Sequence, residues 1–355
     1  MADYTDDDRL PVTILTGFLG AGKTTLLNEL IASNPENKFA VIENEFGEIS
    51  IDNDLIVGVE NENIFEMSNG CICCTLNGEL SELLFDLLNI RHKLTHLIVE
   101  TTGIADPSTV VQAFMSSDQV EMFYRIDSVV CLVDARNIKL IASDTEMAAK
   151  QISYADTIIL NKSDLVNESG LAEAEALVRS FNPFADIHRT SFGKMNEIAV
   201  LDTYSYAPEK IEAFSEKASL MKLSSGISRP SGFALVSRQQ SPMTHQVESH
   251  SYTFTRNFDP HQFNFWLDHL VEYYGAGIYR IKGIISFEKV AQKVVVQSVR
   301  DHIMISAGEV WKAGEERKSR IIFIGKDLGK LKLEESLITL LSGELQQSVL
   351  LLSRS

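Results

Sequence analysis

Residues Gly17-Phe18-Leu19-Gly20-Ala21-Gly22-Lys23-Thr24 follow an apolar run (Val12, Ile14, Leu15) and lead into apolar residues at helical spacing (Leu26, Leu27, Leu30, Ile31). Strand, glycine-rich turn and helix, in that order, form the local context that the GxxxxGK[ST] pattern requires. Glycines let backbone N–H groups approach an anion with no Cβ in the way, and the helix N-terminus behind them carries partial positive charge. In such a turn the lysine, here Lys23, reaches the β- and γ-phosphates of a nucleoside triphosphate, and the hydroxyl of Thr24 ligates Mg²⁺. The phosphate-binding set is Gly17, Gly20, Ala21, Gly22, Lys23, Thr24 and Thr25. A chance glycine turn is the plain alternative, and the complete pattern in its proper local setting argues against it.

Further apolar runs recur at Phe39–Ile42, Leu97–Val99, Val129–Val133 and Thr157–Leu160, each without clean alternation, as in strands of a parallel sheet covered on both faces. Between the runs, helices are expected at Thr24–Ala32, Glu79–Arg91, Pro107–Ser116 and Glu146–Tyr154, the third opened by Asp106-Pro107 as cap and first-turn proline. The alternation predicts a doubly wound, mainly parallel α/β domain, whose ligands bind beyond the carboxyl ends of the strands. A chain of 355 residues exceeds one typical core, so a second domain is expected.

The residues that follow each run are therefore the informative ones. After Ile42 come Glu43-Asn44-Glu45-Phe46-Gly47-Glu48, a loop with oxygen ligands for a cation. Then comes Ser68-Asn69-Gly70-Cys71-Ile72-Cys73-Cys74, with three of the four cysteines of the chain. Thiols so close together do not easily form an unstrained disulfide, whereas thiolates suit Zn²⁺ or Cu⁺. A closed Zn²⁺ site wants a fourth ligand; a carboxylate such as Glu43 or Glu48 could supply it, or a position could stay open. Buried structural cysteines or a redox pair are the alternatives. Cys131 lies in Val129–Val133 and reads as a small buried hydrophobe.

After Val99 stands Glu100-Thr101-Thr102-Gly103. A strand-end acid beside the glycine turn can hold Mg²⁺ through water, and Gly103 can present its N–H to a γ-phosphate. Catalytic roles are assigned to Lys23, Thr24 and Glu100. The residues directly after Gly103, Ile104-Ala105-Asp106-Pro107, include no glutamine to orient an attacking water, so unstimulated turnover is expected near 10⁻⁴ to 10⁻² per second, in order of magnitude. After Leu160 comes Asn161-Lys162-Ser163-Asp164. The Asp164 carboxylate can accept from both the ring N–H and the exocyclic amine of guanine, a pair that adenine lacks, which makes the nucleotide GTP. Asn161 supports the loop, the Lys162 stem covers a base face, and Ser191 completes the pocket.

A net charge of −17 disfavours a nucleic-acid partner, because phosphate backbones are bound by Lys and Arg. No apolar run approaches membrane-spanning length, no leader pattern is evident, and a cytoplasmic protein is expected.

With GFLGAGKTT at 17–25, ENEFGE at 43–48, GCICC at 70–74, ETTG at 100–103, ADP at 105–107 and NKSD at 161–164, the chain resembles the CobW-like GTPases, relatives of UreG and HypB. The resemblance implies a GTP-hydrolysing metallochaperone that takes zinc or a similar ion and delivers it to a client metalloprotein. By the same resemblance Cys71, Cys73 and Cys74 are thiolate ligands and Glu43 and Glu48 carboxylate ligands. The family often carries a histidine-rich stretch; this chain has only scattered His245, His250 and His261, read as surface or strand residues.

Residues 1–223 are assigned to the nucleotide domain, and 224–248, rich in Ser, Gly and Pro, to a linker. Residues 249–355 are expected to form a smaller α+β domain. Its strands lie at Ser249–Thr255, Ile278–Phe287, Lys293–Val299 and Ile321–Ile324. Asp259-Pro260 opens a helix with the stripe Phe263, Trp266, Leu267, Leu270, Val271 and Tyr274, and a closing helix starts from Leu331. The stripe reads as core. Arg280-Ile281-Lys282-Gly283 looks like the family's characteristic stretch, and the expected work of this domain is partner contact or dimer formation. Two rivals remain: a regulatory GTP switch with structural or redox cysteines, and a P-loop kinase or ATPase.

Overall fold

All eight residues of β1 (Leu10–Gly17) are buried, so the strand can only lie inside a sheet covered on both faces. The computed structural model describes residues 7–43, 64–68, 79–115, 117–144, 146–194, 198–206, 210, 235–240 and 247–342; at 43, 64–68, 79, 81–82, 144 and 235–240 it describes the backbone alone. Two compact units divide the chain, one comprising Met1–Arg179 and Ala185–Ser205, the other Ser180–Phe184 and Tyr206–Ser355.

In the first unit β1 is central. With β2 (Phe39–Glu43), β3 (Ile64–Ser68), β4 (His96–Glu100), β5 (Tyr124–Asp134), β6 (Thr157–Asn161) and β7 (Asp186–Arg189) it forms a seven-stranded sheet of order β3-β2-β4-β1-β5-β6-β7. Every pairing is parallel. The expected doubly wound fold is therefore present, and β1 ends between β4 and β5, where the chain's excursions to the two sides of the sheet diverge. The register aligns Leu15 and Glu43 with Glu100, Gly17 with Leu132, and Asp134 with Asn161, so the motif-bearing strand ends share one edge.

Helix α1 (Lys23–Ser33) buries Leu26, Leu27, Leu30 and Ile31 against Leu15, Val41, Ile98, Leu132 and Ile159. At about 1.5–3 kcal/mol per buried side chain, those four contribute roughly 6–12 kcal/mol toward seating the helix on the sheet. Helix α2 is Glu79–Leu88, shorter than expected because a tight turn at Arg91–Lys93 follows. Helix α3 (Pro107–Met115) begins as expected, Ser108 N donating to the Asp106 carboxylate at 3.0 Å. Helices α4 (Asp118–Phe123), α5 (Ile138–Asp144), α6 (Glu146–Tyr154) and α7 (Glu168–Phe181) complete the series. Five of these elements are additions to the sequence reading: α4, α5, α7 and the strands β3 and β7.

The second unit holds β8 (Leu235–Gln240), β9 (Val247–Phe254), β10 (Ile278–Ile285), β11 (Gln292–Val299), β12 (His302–Val310) and β13 (Ser319–Lys326). They form an antiparallel sheet of order β12-β11-β10-β13-β9-β8. β8 lies where the sequence places linker, and the units divide at Ser205 rather than at residue 223. Helix α8 (Pro260–Tyr274) is capped by Asp259, which accepts from Gln262 N at 2.9 Å. It buries Phe263, Leu267, Leu270 and Val271 in an aromatic core with Phe258, Phe287 and Phe323, and Trp266 packs at its margin. Tyr274 departs from the expected stripe: it is 53% exposed, because it lies in the last turn. A tight turn at Leu328–Leu331 precedes α9 (Leu333–Thr339), which starts two residues later than expected. Of the histidines, His250 is buried in β9 between Glu248 (3.0 Å) and the Tyr252 hydroxyl (3.1 Å), His261 is exposed, and His245 lies outside the described residues.

Candidate functional site: a glycine cradle and an Asn-Lys-Ser-Asp turn at one sheet edge

The glycine turn needs its glycines for space as well as for φ. Gly17 has φ +136°, and a Cβ there would stand 2.2 Å from the Leu132 carbonyl oxygen. Gly22 has φ +105°, and a Cβ would meet the Asn161 amide at 2.6 Å. No side chain caps α1, Gly22 being its N-cap, and no acid occupies its first turn. Such a terminus, behind a concave backbone, suits an anion. Lys23 is buried and donates to the Gly17 carbonyl at 3.0 Å, which holds its ammonium over the turn.

Glu100 ends β4 beside β1. Thr24 Oγ1 donates to Glu100 Oε1 at 3.2 Å, which sets two hard oxygens together at the start of α1. That donor set fits an oxygen-seeking cation such as Mg²⁺. The chain next passes under the glycine turn: Thr101 N donates to Leu15 O at 2.9 Å, and a Cβ on Gly103 would lie 2.4 Å from Leu19 N. The buried hydroxyls of Thr101 and Thr102 have no hydrogen-bond partner among the described residues. From α6, the buried Gln151 donates its amide to Gly103 O (3.3 Å) and Ala105 O (3.1 Å). The Gly103–Ala105 segment is thus fixed between the glycine turn and α6.

On the other flank Asn161 is buried and binds in three directions. Its Nδ2 donates to Ala21 O at 2.9 Å, and its Oδ1 accepts from Thr190 Oγ1 (3.1 Å) and Gly193 N (3.2 Å). Ser163 N donates to Thr190 O at 3.0 Å, joining the NKSD turn to the segment after β7. Lys162, with φ 59°, donates from Nζ to both Gly20 O and Asp134 Oδ2, each at 2.7 Å. Burial pushes the Asp134 carboxyl upward, but bonds from Lys162, Asn137 and the Arg136 backbone outweigh it and hold the group below the usual carboxylate range. Asp164 lies in a tight turn, Ser163–Leu165, with its side chain exposed. Ser191 is half-buried and accepts from Lys194 N at 3.2 Å.

The structure therefore gathers Gly17, Gly20, Ala21, Gly22, Lys23, Thr24, Thr25, Glu100, Gly103, Asn161 and Lys162 into one network, with Asp164 and Ser191 on the connected turns. The zinc set is another matter. Glu48, Cys71, Cys73 and Cys74 lie outside the described residues, and of Glu43 only the backbone is described, next to Glu100 in register. Among the described residues no group of three or more His, Cys, Asp or Glu could hold a metal ion. Cys131 is a buried thiol, as expected, pushed up to about 12 by burial. Sequence reasoning missed Asp134 and Gln151. Asp134 stands at a strand end, the position that marked Glu100; Gln151 has no local signal, being one polar residue on a helix.

A parallel doubly wound sheet, with a glycine cradle after its central strand and an Asn-Lys-x-Asp turn two strands away, defines a P-loop nucleotide-binding protein. The chain belongs to the CobW/HypB/UreG family: that family's nucleotide-binding domain matches residues 11–189, and the cobalamin synthesis protein cobW C-terminal domain matches 247–341. Among similar proteins are the zinc-regulated GTPase metalloprotein activator 1 of Schizosaccharomyces pombe (35% identical over 209 residues, 57% of this chain and 51% of that one) and the zinc chaperone YjiA of Escherichia coli (38% over 205 residues, 57% and 64%). The chain thus spans about half to two thirds of the length of these two. A Sinorhizobium zinc chaperone CobW is 28% identical over 354 residues, 89% of this chain and 93% of that one. The crystal structure of the Zn(II)-bound YjiA GTPase from E. coli shares the fold at 23% identity, TM-score 0.66, over 94% of this chain and 99% of that one. Among the described residues no helix is long and apolar enough to cross a membrane.

Proposed function

We propose that the chain is a GTP-binding and GTP-hydrolysing metallochaperone that takes up zinc, or a similar divalent ion, and passes it to a client metalloprotein. The observation that carries the nucleotide half is Asn161, which binds Ala21 of the glycine cradle and the Thr190–Gly193 segment at once, as a guanine-reading loop tied to a phosphate loop requires. In this reading the Gly20–Thr25 backbone cradles the α- and β-phosphates, and Lys23 exchanges the Gly17 carbonyl for β- and γ-phosphate oxygens. Asp164 accepts from the guanine edge, Lys162 covers the base, and Ser191 closes the pocket. Thr24 and Glu100 would hold Mg²⁺, which supplies charge neutralisation between the β- and γ-phosphates. Gly103 offers its N–H to the γ-phosphate.

The zinc half rests on the relatives named as zinc chaperones and on the donor chemistry of Cys71, Cys73, Cys74, Glu43 and Glu48. In the chain order these residues fall between the phosphate loop and Glu100, so segments that answer to the γ-phosphate would also carry the ion, and hydrolysis would change its ligand geometry. The test is equilibrium dialysis of the reduced full chain against Zn²⁺, with GDP or a non-hydrolysable GTP analogue, for the wild type and Cys73→Ala. The expected result is tight, nucleotide-dependent zinc binding that Cys73→Ala weakens. Equal stoichiometry and affinity in both proteins would leave a GTP switch without metal transfer.

A further inference from the structure

Phe192 carries two unfavourable features at one residue. Its ring is 71% exposed, and its backbone has φ 57°, the left-handed region that a bulky side chain disfavours. Its neighbours on both sides are pinned. Thr190 and Gly193 bond to Asn161 Oδ1, and Ser163 N donates to Thr190 O. Gly193, at φ +66°, leaves no slack toward α1, since a Cβ there would stand 3.2 Å from Leu26 N. The segment cannot relax by swinging away without breaking the Asn161 contacts. A strained, solvent-facing aromatic on a fixed turn is a feature that surroundings impose for a ligand. The turn it occupies is bonded directly to the one that presents Asp164.

We propose that the Phe192 ring is the aromatic wall of the base pocket, stacking on the face of the purine whose edge Asp164 reads. This rests on the guanine-nucleotide reading above and adds to it the residue that binds the base by its face. The Lys162 stem, its ammonium held by Gly20 O and Asp134 Oδ2, covers one face of the base, and the Phe192 ring takes the other. Stacking on an aromatic ring depends on the π-face and is indifferent to the phosphate count. The contribution therefore falls equally on GDP and GTP.

The experiment measures, by calorimetry on the full chain with Mg²⁺, the Kd of GDP and of a non-hydrolysable GTP analogue for the wild type and for Phe192→Ala, Phe192→Gly and Phe192→Tyr. Melting temperature without nucleotide is recorded alongside. Phe192→Ala and Phe192→Gly are expected to weaken both nucleotides in the same proportion, about 5- to 100-fold. Phe192→Tyr keeps the wild-type affinity. Phe192→Gly melts no lower than the wild type, since glycine accepts the positive φ without strain. Lower affinity without lower stability separates a stacking wall from a merely structural residue. Binding of both nucleotides by Phe192→Ala and Phe192→Gly within twofold of the wild type overturns the proposal. Failure of the wild type itself to bind any guanine nucleotide overturns the underlying reading instead.

Discussion

Gln151 makes a sharp test of how the fold separates a triphosphate from a diphosphate. Its amide holds the Gly103 and Ala105 carbonyls at 3.3 and 3.1 Å, and neither bond is to a residue of Gly20–Thr25, the backbone that would take the α- and β-phosphates. Gln151→Leu leaves an apolar side chain of similar bulk as far as Cδ and removes the donor. Each bond is worth about 0.5–1.5 kcal/mol net, and the longer one belongs at the low end. The two together hold the Gly103 segment by about 1–2.5 kcal/mol, which is a factor of about 5–70 in an equilibrium constant. If Gly103 N–H meets the γ-phosphate, that factor falls on the triphosphate alone. Calorimetry of GDP and of a non-hydrolysable GTP analogue on the wild type and Gln151→Leu should show the analogue weakened by that amount and GDP unchanged within twofold. A urea titration checks that the variant remains folded. Equal losses for both nucleotides would mean that Gln151 supports the unit in general, and no loss for either would mean that Gly103 has no part in reading the γ-phosphate.

Three further outcomes follow from the same network. Asp164→Asn replaces an acceptor with a donor facing the guanine ring N–H, so GTP should weaken about tenfold or more while xanthosine triphosphate improves; unchanged GTP affinity would place base recognition elsewhere. Gly22→Ala combines a left-handed φ with a Cβ 2.6 Å from the Asn161 amide, and should cost about 1–3 kcal/mol in a chemical denaturation series and remove nucleotide binding. Asp134 has its folded pKa held below the unfolded value near 3.8, so its stabilisation is complete above about pH 5 and is lost as the pH falls through the folded value. Asp134→Asn should accordingly cost about 1–3 kcal/mol at pH 7 and progressively less below pH 4, read from urea midpoints across that range.

The nucleotide-side fold was legible because its strands are buried on both faces. Val12–Leu15 and Val129–Val133 are near-continuous apolar runs, a pattern that survives only in a covered parallel sheet. β7, Asp-Ile-His-Arg, went unnamed for the converse reason: it is a four-residue edge strand that buries little. β12 failed in the same way, since it lies at the edge of the second sheet with half or more of its residues open to water. The site was legible where chemistry demands a local spacing, as in Gly17–Thr24 and Asn161–Asp164. Gln151 and the Asp134–Lys162 pair were illegible because they are long-range partners, 46 to 48 and 28 residues from the groups they hold. The linker was misjudged at Leu235–Gln240, where a polar composition conceals a strand that pairs with β9.

Two motifs that read as separate signals in the chain are one object in the fold. Gly22 is without a side chain because the Asn161 amide fills the space beside it, and Asn161 is in that space because its Nδ2 donates to Ala21 O. The same Asn161 carries Thr190 and Gly193 on its other oxygen. A shift of the phosphate loop by a fraction of an ångström therefore reaches the base-side turn through a single buried amide, with no intervening water or mobile side chain. Lys162, bonded to Gly20 O and Asp134, runs a second tie across the same gap. Two ties of this kind join the Asn161–Asp164 turn to the glycine turn, so in the proposed reading base recognition and phosphate recognition would stand or fall together. The Gly103 side is built differently: Gly103 abuts Leu19 by backbone proximity and is held by Gln151 from another helix. In the proposed reading, the rigid half of the site is thus the part common to GDP and GTP, and the part with a removable support is the one that would tell them apart.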